Sequence, residues 1–157
     1  MADDDGLPWI VASGPPITTP VGHCGYLGGE VSGADEILAA VRERVERQVD
    51  VVKLMASGGL VTTGSDVFTP QFSIEGLRLL VEQAHAAGLP VTAHAHAAAA
   101  VDQAIAVGVE GIEHASSRAT EEQLAALAAS GIAVCPTLGG FTTESLASLA
   151  VVAPRFQ

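Results

Sequence analysis

The sequence is poor in basic residues, aromatic residues and cysteine. Only 7 lysines and arginines stand against 18 aspartates and glutamates, which gives a formal net charge of −11. So acidic a chain repels phosphate backbones and anionic lipid surfaces, and we therefore expect neither a nucleic-acid partner nor a membrane partner. A small-molecule substrate or a metal ion suits this charge better.

The chain also lacks long apolar runs and a cysteine framework. Cys24 and Cys135 lie far apart, and two cysteines in this chain form no disulfide scaffold and no zinc-knuckle spacing. No run of 18 or more apolar residues is present, and residues 1–5 are acidic where a secretory signal is basic. We expect a soluble protein in a reducing cytoplasm.

Apolar residues are abundant, at 48% of the 157 residues, although aromatic residues make up only 4%. This balance is typical of closely packed helices over a buried parallel sheet. The chain is long enough for one domain, but an eight-stranded α/β barrel typically needs about 250 residues. No linker or fixed-period repeat divides the sequence, so we treat residues 1–157 as a single domain or part of one.

Hydrophobic runs alternate with helical patterns along the chain, as in successive βαβ units. The pattern predicts helices over 35–49, 74–87, 98–107 and 120–129, and strands over 8–12, 51–55, 91–94, 111–114 and 132–135. A long polar loop, from Ser57 to Ser73, follows the second strand. The later strands follow one another at about the minimum spacing for a parallel crossover through a helix. The sequence thus favours an α/β barrel or a doubly wound sheet.

Two histidines and a lysine lie near the carboxyl ends of predicted strands, where parallel α/β folds carry their functional side chains. His94 and His114 end successive predicted strands, which brings two imidazoles side by side, and neutral imidazole is a common metal ligand. Either histidine alone would more often be a hydrogen-bonded core residue. Lys53 lies in an apolar strand, where its charge must be paired, neutralised or modified unless the side chain snorkels to solvent.

Six short motifs occur in a fixed order: GHCGYLGGE at 22–30, VDVVKLMASGG at 49–59, QFS at 71–73, VEQAHAAGLPVTAHAH at 81–96, GVEGIEHAS at 108–116 and CPTL at 135–138. Each motif is weak alone. The ordered set resembles the amidohydrolase superfamily, within it the imidazolonepropionase-like and Xaa-Pro dipeptidase-like metal-dependent hydrolases. The resemblance covers nearly the whole chain.

This resemblance implies a partial (β/α)8 barrel of the TIM type, covering roughly strands three to seven, with one or two divalent metals, commonly zinc. Lys53 matches a strand-four lysine that carbon dioxide often converts to a metal-bridging carbamate, and His94 and His114 match metal-binding histidines of strands five and six. The resemblance thus implies Lys53, His94 and His114 as metal ligands. The implied reaction is hydrolysis of an amide or peptide-type C–N bond, in a dipeptide or N-acyl amino acid, by metal-activated water.

The sequence departs from the family pattern at several positions. The family has a His-x-His pair on its first strand and an aspartate after its last strand, but here HAH at 94–96 lies on the predicted fifth strand and no aspartate follows Asp102. We therefore assign no catalytic residue within this chain. Val21 and Ala97 also stand where the family has glycines. We interpret the chain as an internal fragment, or a truncated open reading frame, of a longer hydrolase.

The remaining histidines are candidates of a different kind. His23, in a loop near a strand end, and His96, two residues after His94, are candidates for contact with substrate. We expect His96 to turn into the site at the end of its strand. His85 lies within a helical pattern and is expected to be structural.

Two other functions stay open from the sequence. A partial barrel has open sheet edges and an exposed interior, so the chain is expected to self-associate or to act only with complementing strands. Alternatively, the chain is a non-enzymatic, doubly wound α/β module that binds a small anionic ligand with the backbone of the loop after Lys53.

Overall fold

The structure, a computed structural model, describes residues 8–115 and 119–137. After a short 3-10 helix (Gly25–Leu27), its elements in chain order are α1 (Ala34–Glu46), β1 (Val52–Met55), α2 (Ile74–Ala86), β2 (Val91–Ala95), α3 (Ala98–Val107), β3 (Gly111–His114), α4 (Glu121–Ser130) and β4 (Ala133–Cys135). They confirm the predicted alternation. The acidic residues 1–5, Ser116 and Leu138, which belonged to the predictions above, lie outside the described residues.

Side-chain caps fix where two of the helices begin. The N–H of Gly76 donates to Ser73 Oγ at 3.2 Å, so α2 begins directly after the long polar loop. Thr120 forms a capping box with Gln123 at the start of α4, in which each side chain accepts a hydrogen bond from the other's backbone N–H at 3.2 Å. None of the described helices has the length and apolar content needed to cross a membrane.

The four strands form one parallel sheet in the order in which they occur in the sequence, β1-β2-β3-β4. Neighbouring helices pack against one another, α1 on α2, α2 on α3 and α3 on α4. Right-handed crossovers in one constant direction place all connecting helices on the same side of the sheet. A doubly wound sheet instead reverses its strand order. The observed order is that of a barrel wall and excludes the doubly wound alternative for the described strands.

Strand alternation gives the sheet two unlike faces. The outer face packs against the helices in one apolar core, and its strand residues are Val52, Leu54, Val91, Ala93, Ile112 and Val134, all at most 1% exposed. The inner face corresponds to a barrel interior. Register places on it Lys53, Met55, Thr92, His94, Glu113 and Cys135. The polar residues of the strands are thus collected on the inner face.

The strand predicted over residues 8–12 was wrong. Trp9, Ile10 and Val11 are 62%, 79% and 64% exposed and belong to no strand. Ile17 takes the position beside β1 instead: its N–H donates to the Lys53 carbonyl at 2.8 Å, and its carbonyl accepts from the Met55 N–H at 2.9 Å. Ile17 is fully buried, so burial against the core, rather than apolar content alone, decides which segment pairs.

Candidate metal centre

Four histidine rings meet above the carboxyl ends of β2 and β3. The ring centroid of His94 lies 4.5 Å from that of His23 and 4.8 Å from those of both His96 and His114. His96 and His114 stack at 4.4 Å with an interplanar angle of 11°. The structure therefore brings together four of the five residues singled out from the sequence, and the fifth, Lys53, lies on the neighbouring strand.

His94 is held in one tautomer by a backbone carbonyl. Its Nε2–H donates to the carbonyl oxygen of Gly58 at 3.0 Å, because a carbonyl can only accept. Burial of the ring lowers its pKa to about 3, so the imidazole is neutral near pH 7. Nδ1 is then the nitrogen with a free lone pair. This is the arrangement of a metal-binding histidine whose other nitrogen is held by a hydrogen bond.

His114 reaches the cluster by leaving the regular strand conformation. Its register partner is Ala95, a residue of the outer face, so a regular strand would direct His114 towards the helices. The φ of His114 is 74° and that of Ala115 is 48°. Left-handed backbone at non-glycine residues costs about 1–3 kcal/mol and is concentrated at functional sites. Here it places the ring beside His94.

The environment of His114 also keeps it neutral. Burial, followed by the nearby His96 and Lys53, lowers its pKa to about 4. Nδ1 of His114 hydrogen-bonds to the hydroxyl of Thr137, which leaves Nε2 for another partner. Like His94, it combines a lone pair with an anchored ring.

His96 belongs with His94 and His114 to one group of potential metal ligands. It is two residues from His94 and so shares its side of the chain, without the turn that we expected from the sequence. One ring nitrogen from each of His94, His96 and His114 lies within 4.8 Å of the others. The His96 N–H donates to Ser57 Oγ at 2.8 Å, which fixes the backbone just beyond β2. Its contact with substrate stays a prediction.

His23 is buried against the other side of His94. Its Nδ1 hydrogen-bonds to Thr62 Oγ1 at 2.9 Å, and burial lowers its pKa. The ring also packs on Gly59, where an added Cβ would come within 2.3 Å of it. His23 thus links its own loop to the long loop after β1, and its role towards substrate also remains a prediction.

The loop before His23 bends through strained backbone. Val21 has a φ of 59° and is 83% exposed, and Cys24 has a φ of 58°. A left-handed conformation is a genuine outlier for a β-branched residue. Glycine suits the position better, which agrees with the family's glycine there.

Lys53 lies on the inner face, one strand away from the histidines. It is opposite Thr92 in the β1–β2 register, while Met55 is opposite His94. Burial lowers the pKa of Lys53, and the nearby Glu113 opposes that shift. A lowered pKa increases the share of neutral amine, which is the form that reacts with carbon dioxide. The geometry is compatible with the predicted ligand role and leaves it a prediction.

Glu113 was missed as a member of this face. It is opposite His94 in the β2–β3 register and accepts a hydrogen bond from Thr92 Oγ1 at 3.3 Å. Its carboxylate also hydrogen-bonds to the Cys135 thiol and raises the thiol's pKa. Alternation from an inward-facing His114 would have placed Glu113 on the outer face; the register instead puts Glu113 on the inner face, and His114 joins it only through its left-handed backbone.

A separate cavity lies away from the histidine cluster. It has a volume of about 430 Å³ and lies between the N-terminal ends of α1 and α2, beside Gly33, Phe72 and Ser73. None of the four clustered histidines lines it. The candidate ligand residues therefore lie on the open inner face and not in this cavity.

Known proteins resemble the chain in both sequence and fold. The model of the amidohydrolase family matches residues 3–152. Over 69 residues the chain is 38% identical to ochratoxinase from Aspergillus niger, an alignment that covers 44% of this chain and 14% of that protein. Both findings agree with the resemblance read from the motifs.

Solved structures extend this likeness to three dimensions. A Xaa-Pro dipeptidase with methionine bound in its active site superposes with a TM-score of 0.76 at 27% identity, covering 92% of this chain and 42% of that one. The A. niger ochratoxinase structure gives a TM-score of 0.72 at 28% identity, covering 91% and 40%. The chain spans less than half the length of either structure, as expected for a partial barrel.

Proposed function

The chain belongs to the amidohydrolase family, and on that premise we propose that it is part of a metal-dependent hydrolase that cleaves an amide or peptide-type C–N bond. The proposed substrate is a dipeptide or an N-acyl amino acid. The proposed metal ligands are Lys53, His94 and His114, with zinc as the metal. His23 and His96 are proposed to contact substrate.

One observation carries the proposal: His94 and His114, from adjacent strands, place their rings 4.8 Å apart with both pKa values lowered. Each ring is anchored through one nitrogen, His94 on the Gly58 carbonyl and His114 on the Thr137 hydroxyl. Neutral imidazole nitrogens that are held in a fixed orientation are suitable ligands for zinc. A bound divalent ion would lower the pKa of a water molecule and polarise the substrate carbonyl.

The chain's own residues supply the positions around that ion. Lys53 contributes an amine whose lowered pKa favours reaction with carbon dioxide, and the resulting carbamate would be the anionic ligand. Glu113 and Thr92 are hydrogen-bonded to each other on the same inner face. His23, buried next to His94, closes one side of the cluster and excludes water from it.

The substrate class is supported by the known relatives. A Xaa-Pro dipeptidase and an ochratoxinase are among the structures that the chain resembles. The chain's formal charge of −11 also argues against polyanionic substrates. We therefore place a small amide, not a nucleic acid or a lipid, on the open side of the histidine cluster.

A second candidate is a catalytically incomplete barrel that acts only when complementing strands join it, from another copy or another chain. Cys135 is exposed on the inner face, at the β4 edge of the sheet. Open edges and an exposed barrel interior favour association. A sizing column separates the two: a well-folded monomer that binds no dye specific for apolar surface would contradict the association candidate.

The proposal is tested by elemental analysis of the purified 157-residue chain, with Lys53→Ala and His114→Ala beside it. We expect near-stoichiometric zinc in the parent chain and its loss in both variants. His85→Ala is the matched control, since His85 lies on α2 and pairs with Glu110 at 3.1 Å. Metal content that is unchanged in Lys53→Ala would contradict the assignment of Lys53 as a ligand.

Two further measurements separate metal binding from catalysis. Labelled bicarbonate should give a carbamate carbon signal in the NMR spectrum that Lys53→Ala lacks. The metal-loaded chain is then screened with Xaa-Pro dipeptides and N-acyl amino acids. Hydrolysis that is lost in His114→Ala supports the enzyme, whereas metal binding without hydrolysis supports the incomplete barrel.

A further inference from the structure

We infer that His96 is a metal ligand in this chain, and that His94, His96 and His114 together form a three-histidine site for one transition-metal dication. This inference deepens the proposed function and rests on it, because it concerns the same centre. It differs in giving His96 a place in the ligand set rather than a contact with substrate.

The spacing of the three rings fits one ion. One nitrogen from each ring already lies within 4.8 Å of the others. A tetrahedral zinc ion with Zn–N bonds of about 2.0–2.1 Å needs its ligand nitrogens about 3.3 Å apart. The ligand nitrogens thus have to approach one another by about 1.5 Å at most, a movement on the scale of a change in side-chain torsion angles.

The backbone of the three residues is fixed while the His96 ring is free to turn. The N–H of His96 donates to Ser57 Oγ at 2.8 Å, and β2 and β3 are paired up to Ala95 and His114. No described residue hydrogen-bonds to the His96 ring, whereas His94 and His114 each have one anchored nitrogen. Three imidazoles on a fixed backbone, each with an unoccupied nitrogen lone pair, form a preorganised site.

The stacking of His96 on His114 supports the same conclusion. The His96 and His114 rings are parallel at 4.4 Å and the His94 ring is edge-on to His96 at 4.8 Å, so nitrogen lone pairs of three imidazoles lie close together. A dication coordinated by all three rings satisfies these nitrogens at once. Three histidines and one open position are also a known ligand set for catalytic zinc.

The test is a titration of the full 157-residue chain, stripped by a chelator, with Co²⁺ as the probe. Visible absorption of the bound ion reports its coordination, and competition with a chelating dye gives the affinity. We expect one Co²⁺ per chain and an affinity about 100-fold or more weaker in His96→Ala, since disturbing even a ligand's hydrogen-bond partner costs about 10- to 100-fold. His96→Gln should behave in the same way while preserving most of the side-chain volume.

The controls separate this inference from the proposed function. His85→Ala should bind Co²⁺ as the parent does, and circular dichroism verifies that each variant is folded. Unchanged Co²⁺ affinity and spectrum in both His96 variants would overturn the role of His96. If Lys53→Ala then loses the ion, the proposed Lys53/His94/His114 site stands without it. No Co²⁺ uptake by the folded parent chain would overturn both.

Discussion

The outer and inner faces of the sheet are built by the same four strands but carry opposite kinds of residue. Leu54 and Ile112 on the outer face are fully buried against helices. Thr92, His94 and Glu113 on the inner face are polar and interact with one another or with the loops. Strands of parallel sheets are usually apolar on both sides. Departure from that rule on one side alone marks where chemistry, rather than packing, has selected the residues.

The largest effect is expected when the outer face is disrupted. Leu54→Ala removes a side chain that is 0% exposed and should lower the free energy of unfolding by about 3 kcal/mol. On the inner face, Thr92→Val keeps the side-chain shape and removes only the 3.3 Å hydrogen bond to Glu113, so it should cost about 0.5–1.5 kcal/mol. Urea denaturation followed by circular dichroism measures both. Equal losses in the two variants would contradict the division between the faces.

The next largest effect is expected from acid, which should destabilise the protein through His94 on the inner face. The folded pKa of His94 is lowered to about 3 from 6.5, so below pH 6.5 the unfolded chain binds more protons than the folded chain does. Stability in the presence of a chelator should therefore fall as the pH drops from 6.5, by roughly 2 kcal/mol at pH 4.5. His94→Gln removes this group and should flatten the profile. A profile that is equally steep in the variant would assign the acid effect to other groups.

Lys53→Met should act in the opposite direction to Leu54→Ala. Burial already disfavours the Lys53 ammonium, as the direction of its pKa shift indicates. Replacing this largely buried charge with an apolar side chain of similar length should stabilise the metal-free protein by about 1 kcal/mol. The same change should weaken metal binding. A loss of stability would mean that the pair of Lys53 with Glu113 matters more than the burial.

The smallest effect is expected in the loop before His23. Val21→Asn should stabilise the chain by about 0.5 kcal/mol, because asparagine tolerates the left-handed φ of 59° that a β-branched residue resists. Val61→Asn is the matched control: Val61 is also exposed, at 75%, but has no positive φ. Thermal unfolding curves compare the two. An equal gain in the control would show that surface polarity, not backbone strain, is responsible.

Periodicity and capping made most of the fold predictable. Ser73, Thr120 and the regular apolar spacing of α1 and α2 are local signals, and they gave element limits close to those observed. The segment paired beside β1 was mispredicted because pairing of Ile17 depends on a partner distant in sequence. No local pattern distinguishes Ile17 from the apolar run at 8–12.

The candidate site was predictable in part. His94 and His114 were found because the ends of neighbouring parallel strands converge. Glu113 was missed because alternation from an inward-facing His114 would place it on the outer face. The left-handed turn at His114 could not be anticipated, because neither His114 nor Ala115 is a glycine, the residue that usually marks such a conformation. The close approach of the His94, His96 and His114 rings likewise depends on the tertiary structure and has no local signal in the sequence.

The consecutive strand order has a consequence for how the chain acquires its structure during synthesis. Each strand pairs with the strand made just before it, β2 on β1, β3 on β2 and β4 on β3. Since chains emerge from the ribosome N-terminus first, every new βα unit meets an already finished neighbour. The wall can therefore grow one unit at a time, and His94 is in place on β2 before β3 delivers His114. The neighbouring pair of histidine rings is completed at the moment the third strand docks.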